Sequence, residues 1–212
     1  MELTKRNCPI KMELCNIEAG WLDLIMNING EEIKLTSSYC MGDGFPALLE
    51  AVYRLYPRLP EHEESSYIEE VKVTQIIDGE KMEFWAPQRA KFYWDEEGII
   101  IDWVISKDPF IQEEFDINVK LNIYKEKGET KEFTVSYKDF CYALAKAITQ
   151  TLKKYGINGF YNGYWAADIN IRQFLYIKAI GLGVKDKIDV FWTKYGDCSD
   201  LNKEIELLMF DM

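Results

Sequence analysis

Two periods of hydrophobic and polar residues divide this chain. A period of two opens it: Met12 and Leu14 alternate with charged neighbours, then Leu22, Leu24, Met26 and Ile28 alternate with Asp23 and Asn27. Asn29-Gly30 follows, the dipeptide that best supplies the two positive φ angles of a tight hairpin, and Ile33 and Leu35 carry the return strand to Ser37. The period becomes helical after Gly42-Asp43-Gly44. Phe45, Leu48, Leu49, Val52 and Tyr56 form one stripe, Glu50 and Arg54 pair at i, i+4, Asp43 or Gly44 caps the start with Pro46 in the first turn, and Pro57 and Pro60 end it. From Val71 to Val135 the alternation returns. The clearest stretch sets Phe115, Ile117, Val119, Leu121 and Ile123 against Asp116, Asn118, Lys120 and Asn122. The stretch Ile99 to Ile105 is apolar on both faces at Ile100 and Val104, which predicts a central, covered strand.

The strongest helix runs from Val135 to Ile157. Ser136 and Asp139 predict a capping box with a Val135–Phe140 staple, Tyr137, Phe140, Cys141, Leu144, Ile148, Leu152 and Tyr155 make the apolar stripe, and Gly156 is the stop. Tyr142 falls with Lys138, Lys146, Gln150 and Lys153 on the wetter side. Two further helices are expected. One is capped by Asp168 or Asn170, with Ile171, Phe174 and Leu175 inward and Gly181 and Gly183 as its end; a short strand near 188–192 then precedes a helix capped near Ser199, with Leu201, Ile205, Leu208 and Met209 inward. Strands in runs, with helices between and after them, predict an α+β fold rather than a parallel α/β one. The expectation is a single α+β domain over residues 1–212: a mostly antiparallel twisted sheet of about seven or eight strands, with two or three helices packed on it. Its core is predicted to hold Leu24, Ile33, Leu49, Val52, Phe92, Ile101, Trp103, Val119, Leu121, Phe140, Leu144 and Ile148.

Charge changes the picture because it is concentrated. The net charge is −11; Glu61, Glu63, Glu64, Glu69 and Glu70 give −5 within ten residues, and Asp197 to Met212 gives −4. Direct nucleic-acid binding is disfavoured, since phosphate contacts need clustered Lys and Arg, whereas a basic protein partner suits such segments. Solubility alone is the other reading of a charge run. The stretch MELTKRNCPI lacks the apolar core of a signal peptide, no run is long enough to span a bilayer, and five scattered cysteines include no C-x-x-C pair. A cytoplasmic protein with idle thiols, and no membrane partner, is expected.

Candidate chemistry is sparse. The single histidine, His62, lies in a run of glutamates beside Ser65 and Ser66, and one His without spaced Cys makes no usual zinc set; no cofactor and no metal are expected. Asp102 beside Trp103 and Asp168 near Trp165 are the acids a carboxylate-dependent hydrolase would use, with a sheet position and a helix cap as their structural alternatives. The GDG and GLG glycines lack the Lys-Ser or Lys-Thr of a phosphate loop. The segment Gly156 to Trp165 joins two Asn-Gly pairs to Phe160, Tyr161, Tyr164 and Trp165. It reads as a loop whose rings either bind a ligand or fold under to finish the core, and the second reading is the weightier.

Ser38, Tyr39, Gly42, Asp43, Leu48 and Leu49 early on, with Phe140, Leu144, Tyr155, Gly156, Tyr161 and Trp165 late, form a pattern that resembles a family of small bacterial proteins of uncharacterised function, over roughly residues 20 to 182. It departs from that pattern at Ala86, which precedes Pro87 where an acidic residue is expected. The resemblance implies no activity; some such small acidic proteins are similar to immunity proteins that neutralise bacterial toxins. The expected function is therefore non-enzymatic binding of a protein partner, with an immunity-type inhibitor its sharpest form. The alternatives are a module binding a small carbohydrate-like ligand through residues 156–165, and a carboxylate-dependent hydrolase.

Overall fold

The computed structural model of the chain describes residues 3–38, 43–56, 66–110, 114–124, 128–164, 168–194 and 196–212. The fold is α+β. Eight strands form a three-stranded and a five-stranded antiparallel sheet, two more form a short hairpin, and four helices complete the described elements. By their internal contacts the residues divide into two compact units, Met1–Leu35 with Lys138–Met212, and Thr36–Tyr137.

In the first unit the meander β1 (Lys11–Glu18), β2 (Trp21–Ile28) and β3 (Glu31–Ser37) follows the alternation directly. Met12 pairs with Met26 and Leu14 with Leu24, all buried, and Asn29 and Gly30 take φ of 55° and 85°. Asp23 is the exception: it is buried, Asn16 Nδ2 donates to it at 2.6 Å and Lys34 Nζ neutralises it at 2.8 Å, beside the bulge that interrupts β1.

Helix α2 (Tyr137–Tyr164) is the long helix, with Phe140, Leu144 and Ile148 wholly buried. Tyr142, expected on the wet side, is buried too. Its hydroxyl accepts from the Arg6 backbone N–H at 3.2 Å, the Arg6 guanidinium lies 4.9 Å from its ring, and α3 (Ile171–Leu182) crosses it at Gly181. Gly181 thus does not end α3. A Cβ there would stand 2.6 Å from the Tyr142 backbone nitrogen, so glycine is what lets the two helices touch. Gly183 is the stop, at φ 75°, with Val184 N–H bonded to Ala179 C=O. At the other end Asn170, not Asp168, caps α3 through Gln173 N–H.

Gly156 breaks α2 at φ 71°, ψ 170°, and helix resumes over 157–164. The aromatic segment is therefore not a loop of two Asn-Gly turns. Gly159 and Gly163 carry helical backbone, and Gly163 is needed because a Cβ would meet the Ile17 carbonyl oxygen at 2.9 Å. Gly156→Ala should lower stability by about 1–3 kcal/mol. No atom would clash with the new methyl, so the cost is conformational, and a urea titration measures it.

The last elements are a 3-10 turn at Lys185–Lys187, the hairpin β9 (Phe191–Thr193) and β10 (Gly196–Cys198), and α4 (Leu201–Met209). Asp200 rather than Ser199 caps α4, and Leu207 is its buried residue, in a cluster with Ala179, Val184 and Ile188. The stripe expected inward faces out: Leu201, Ile205 and Met209 are 65 %, 48 % and 73 % exposed. The face turned to α3 is set by Leu207 and by the Lys187–Glu206 ion pair at 2.6 Å.

The second unit holds α1 (Gly44–Leu55) and the sheet β4 (Ile68–Ile77), β5 (Glu80–Asp95), β6 (Ile100–Ser106), β7 (Asp116–Tyr124) and β8 (Glu129–Ser136), in sequential order. One face is core: Phe92, Trp103 and Leu121 align across three strands, as do Trp94, Ile101 and Ile123, and α1 lies on β5. Strand β6 is central as expected, but its second face is not sealed, since Ile100 is 42 % exposed. A bulge at Gln88, opposite Glu69 and Glu70, bends β5 beside Pro87, which has no N–H to give to a ladder. No helix among the described residues is long and apolar enough to cross a membrane.

Candidate functional site

Strand alternation puts the odd residues of β5 on the side of the sheet opposite its core. Register then builds that face in rows: Asp95, Ile100 and Tyr124; Tyr93, Asp102, Asn122 and Thr130; Lys91, Val104, Lys120 and Glu132; Arg89, Ser106, Asn118 and Thr134. Each of these side chains is exposed or half-buried. Tyr93, Ile100 and Tyr124 are 40 %, 42 % and 53 % exposed, large rings and an aliphatic chain on rigid strands. Towards β8 the polar residues satisfy one another, Asn118 donating to Glu132 at 3.0 Å and Thr130 to Asn122 at 3.2 Å.

A cleft of about 540 Å³ opens on this face, lined by Asp43, Ser66, Tyr67, Lys91, Tyr93, Asp102 and Val104, with the strand backbone at Phe92 and Trp103 as its floor. It exists because β4 pairs with β5 only as far as Ala90. Beyond that point the freed edge of β5 is taken by single bonds: Lys91 N–H to Tyr67 C=O, Asp43 N–H to Tyr93 C=O and Ser38 N–H to Asp95 C=O, at 2.8 to 3.0 Å. Asp43 also accepts the Tyr93 N–H on Oδ2 at 2.9 Å. Both backbone groups of Tyr93 thus point to Asp43, which makes Tyr93 and Asp102 a non-hydrogen-bonded cross-strand pair, the closer kind.

Two tyrosine–carboxylate pairs involve the acids of the cleft, one of them through Tyr124, which lies outside its lining. The Tyr67 hydroxyl bonds Asp43; burial first, then the charges of Asp43 and Glu50, raise its pKa. The Tyr124 hydroxyl bonds Asp102, and that hydrogen bond is the leading cause of its raised pKa. Lys91 is committed elsewhere: its Nζ lies 2.5 Å from Glu69, which also meets Arg89 at 3.3 Å. The bond from Lys91 is the main reason the Glu69 carboxyl titrates below its usual range.

At the far end of the same sheet, a cleft of about 330 Å³ is lined by Arg89, Ser106, Asp108, Asp116 and Lys107. Lys107 is buried, its Nζ donates to Asp108 C=O at 2.6 Å and Pro87 C=O at 3.3 Å, and burial pulls its pKa down to about 8. These bonds pin the bulge of β5 to the end of β6, a structural task. In the first unit, a cleft of about 510 Å³ between β1, β2 and α2 is lined by Arg6, Cys8, Glu13, Glu32, Tyr142 and Lys146 among others; the Arg6 guanidinium there pairs with Asp139.

Of the residues singled out from sequence, Tyr39, Gly42, Pro57, Pro60, Glu61, His62, Glu63, Glu64, Ser65 and Trp165 lie outside the described residues. Glu69 and Glu70 are exposed on β4, and Glu69 is engaged as above. Phe160 and Tyr164 are 1 % and 0 % exposed and meet in a tilted contact with ring centroids 5.8 Å apart, one helical turn apart in the chain; Tyr161 is 48 % exposed. The described rings of the segment thus finish a core more than they line a surface. Asp168 is exposed, and Asp102 is the predicted acid that the fold brings into a cleft. The neighbours of Asp102 in the cleft were beyond sequence reasoning: Asp43 is 59 residues away and reads there as a helix cap, and nothing singles out Tyr93. Among the described residues no three or more His, Cys, Asp or Glu come together as a metal-holding group, and Cys8, Cys15, Cys141 and Cys198 are free thiols.

Comparison of the chain with protein-family models, with curated proteins and with solved structures gives no match. What the protein does has to be read from its own surface.

Proposed function

We propose that this protein acts by binding a protein partner rather than by catalysis, an immunity-type inhibitor of a bacterial toxin being the sharpest form of that reading, and that the partner docks on the open face of the five-stranded sheet. The observation that carries it is the exposure of Tyr93, Ile100 and Tyr124 together on three adjacent strands. Tyrosines present large contact area at small cost in side-chain entropy, and Asn, Ser and Thr around them offer adaptable hydrogen bonds. The described end of the acidic segment, residues 66–70, adjoins this surface: Ser66 and Tyr67 line the cleft, and Glu69 holds Lys91 at its border. That favours a basic partner, whose association rate should fall as salt rises.

The test is a double replacement, Tyr93→Ala with Tyr124→Ala, both on solvent-facing positions. The expected result is loss of a partner retained by the wild type from native lysate, with the melting temperature unchanged. Retention of the same partner by both forms would end this reading. The hydrolase alternative keeps one observation, that Asp43 and Asp102 line one cleft. It predicts hydrolysis of chromogenic glycosides by the wild type and not by Asp102→Asn.

A further inference from the structure

We infer that the cleft of the first unit, between β1, β2 and α2, binds a small zwitterion, an aliphatic α-amino acid whose carboxylate lies at Arg6, Tyr142 and Lys146 and whose ammonium lies towards Glu13 and Glu32. The inference goes beyond the docking-face reading and does not depend on it, since every residue lining this cleft belongs to the first compact unit. None of them adjoins a stretch outside the described residues.

Two buried donors without acceptors mark the site. Tyr142 lines the cleft at 1 % exposure. Its hydroxyl oxygen accepts the Arg6 backbone N–H at 3.2 Å, which turns the hydroxyl proton away from that nitrogen, and no described residue accepts the proton. The Arg6 guanidinium lies over the same ring, 4.9 Å from its centroid, and gives one terminal nitrogen to Asp139. Its Nε is buried and has no hydrogen-bond partner among the described residues. A buried donor left without an acceptor is costly, and two side by side call for a group with two acceptor sites. A carboxylate offers that, and it suits the remaining N–H groups of a guanidinium.

Charge supplies the rest of the ligand. Lys146 stands one turn beyond Tyr142 on α2, half-buried in the cleft lining, with no ion-pair partner among the described residues. Arg6 and Lys146 both bear on the thiol of Cys8, so they share one end of the cleft; burial is still the leading influence there and raises the pKa of that thiol. With Arg6 set against Asp139, the ionisable side chains left are Lys11 and Lys146 against Glu13 and Glu32. The signs balance. A simple anion would meet two glutamates, and a simple cation would leave the donors of Arg6 and Tyr142 unmet, whereas a molecule with both charges answers both. An ordered water would satisfy the two donors but bring no charge to Lys146. Ile10, Met12, Ile25 and Ala143 give apolar wall to an aliphatic side chain, and about 510 Å³ is room enough for one.

The experiment uses the full chain and backbone-amide NMR titrations with four probes: leucine, leucinamide (no carboxylate), isocaproate (no ammonium) and glycine (no side chain). Leucine is expected to give saturable shifts at Arg6, Cys8 and Lys146, and each of the other three to bind about tenfold more weakly or worse. Tyr142→Phe removes the hydroxyl and should weaken leucine by about tenfold or more. Because that change also takes the acceptor from the Arg6 N–H, Lys146→Gln is the second variant, at a side chain with no ion pair to lose. The same loss of affinity is expected from it with an unchanged melting temperature. No saturable shift with leucine, or leucinamide bound as tightly as leucine, would overturn the site and leave its donors to water. Isocaproate bound as tightly as leucine would overturn the zwitterion, and leucine binding undiminished in both variants would overturn the placement. Partner retention by the Tyr93→Ala, Tyr124→Ala variant tests the docking face alone, so either reading can fail without the other.

Discussion

Leu144→Asp is expected to leave the protein without a cooperative unfolding transition. Leu144 is 0 % exposed in the middle of α2, one turn from Phe140 and one from Ile148, both also at 0 %. Neighbouring positions offer no escape, since residues 140 to 145 are all buried. An ionised carboxylate there has no cation to meet, and a protonated one still brings two polar atoms into an apolar site. Either outcome costs several kcal/mol, against a total stability on the order of 5–15 kcal/mol. Leu144→Ala provides the graded control: it leaves a cavity and should cost about 2–5 kcal/mol while keeping a sharp transition. A urea melt of Leu144→Asp that overlays the wild type would show that α2 does not sit where it is described.

The second large effect concerns pH. Lys178 is wholly buried in α3, its Nζ donating to the carbonyls of Phe210 at 2.7 Å and Leu208 at 3.1 Å, so it ties the end of α4 to α3. Burial is the leading cause that lowers its pKa to about 8, against 10.5 ordinarily; the nearby Asp211 offsets part of that. Between these two values the unfolded chain binds a proton that the folded one has released, so the contribution of Lys178 to stability rises with pH across this window and is flat below it. A neutral amine can still donate to both carbonyls, so the tie survives deprotonation. The wild type should therefore gain on Lys178→Met by about 3 kcal/mol between pH 7.5 and 10.5. Comparing the two forms matters, because Cys8, Cys15 and Tyr67 have raised values and pull the other way at alkaline pH, and Lys107 adds a rise of its own. These cancel in the difference. Parallel stability curves for the two forms from denaturant titrations would refute the assignment.

Residues 156–165 read from sequence as a loop of two Asn-Gly turns, and in the fold residues 157–164 are helix. Asn-Gly favours a turn when nothing else acts on it. At Asn162-Gly163 a contact does act: the helix lies so close to Ile17 that only glycine fits, and the same residue type serves packing instead of a turn. Gly181 repeats the lesson against Tyr142. Likewise the apolar stripe of α4 is a true helical pattern, but periodicity shows which residues share a face and not which face meets a neighbour.

By itself the sequence missed the helical course of residues 157–164, and it led to two or three packed helices where four are described. It determined the fold class, most strands of both sheets, the starts of the helices within a few residues and the twelve core positions it named, all of which are buried. Those features follow from local rules: alternation, helical spacing, turn dipeptides and caps act between residues a few positions apart. The tertiary structure decided the rest. It decided that Asp23 and Lys178 are buried and satisfied, that α2 is enclosed around Tyr142, and that Asp43, Tyr67, Tyr93, Asp102 and Tyr124 share one surface. That gathering depends on where β4 stops pairing and which strand lies beside β5. Such registers are set by contacts between residues distant in the chain, and no local pattern encodes them.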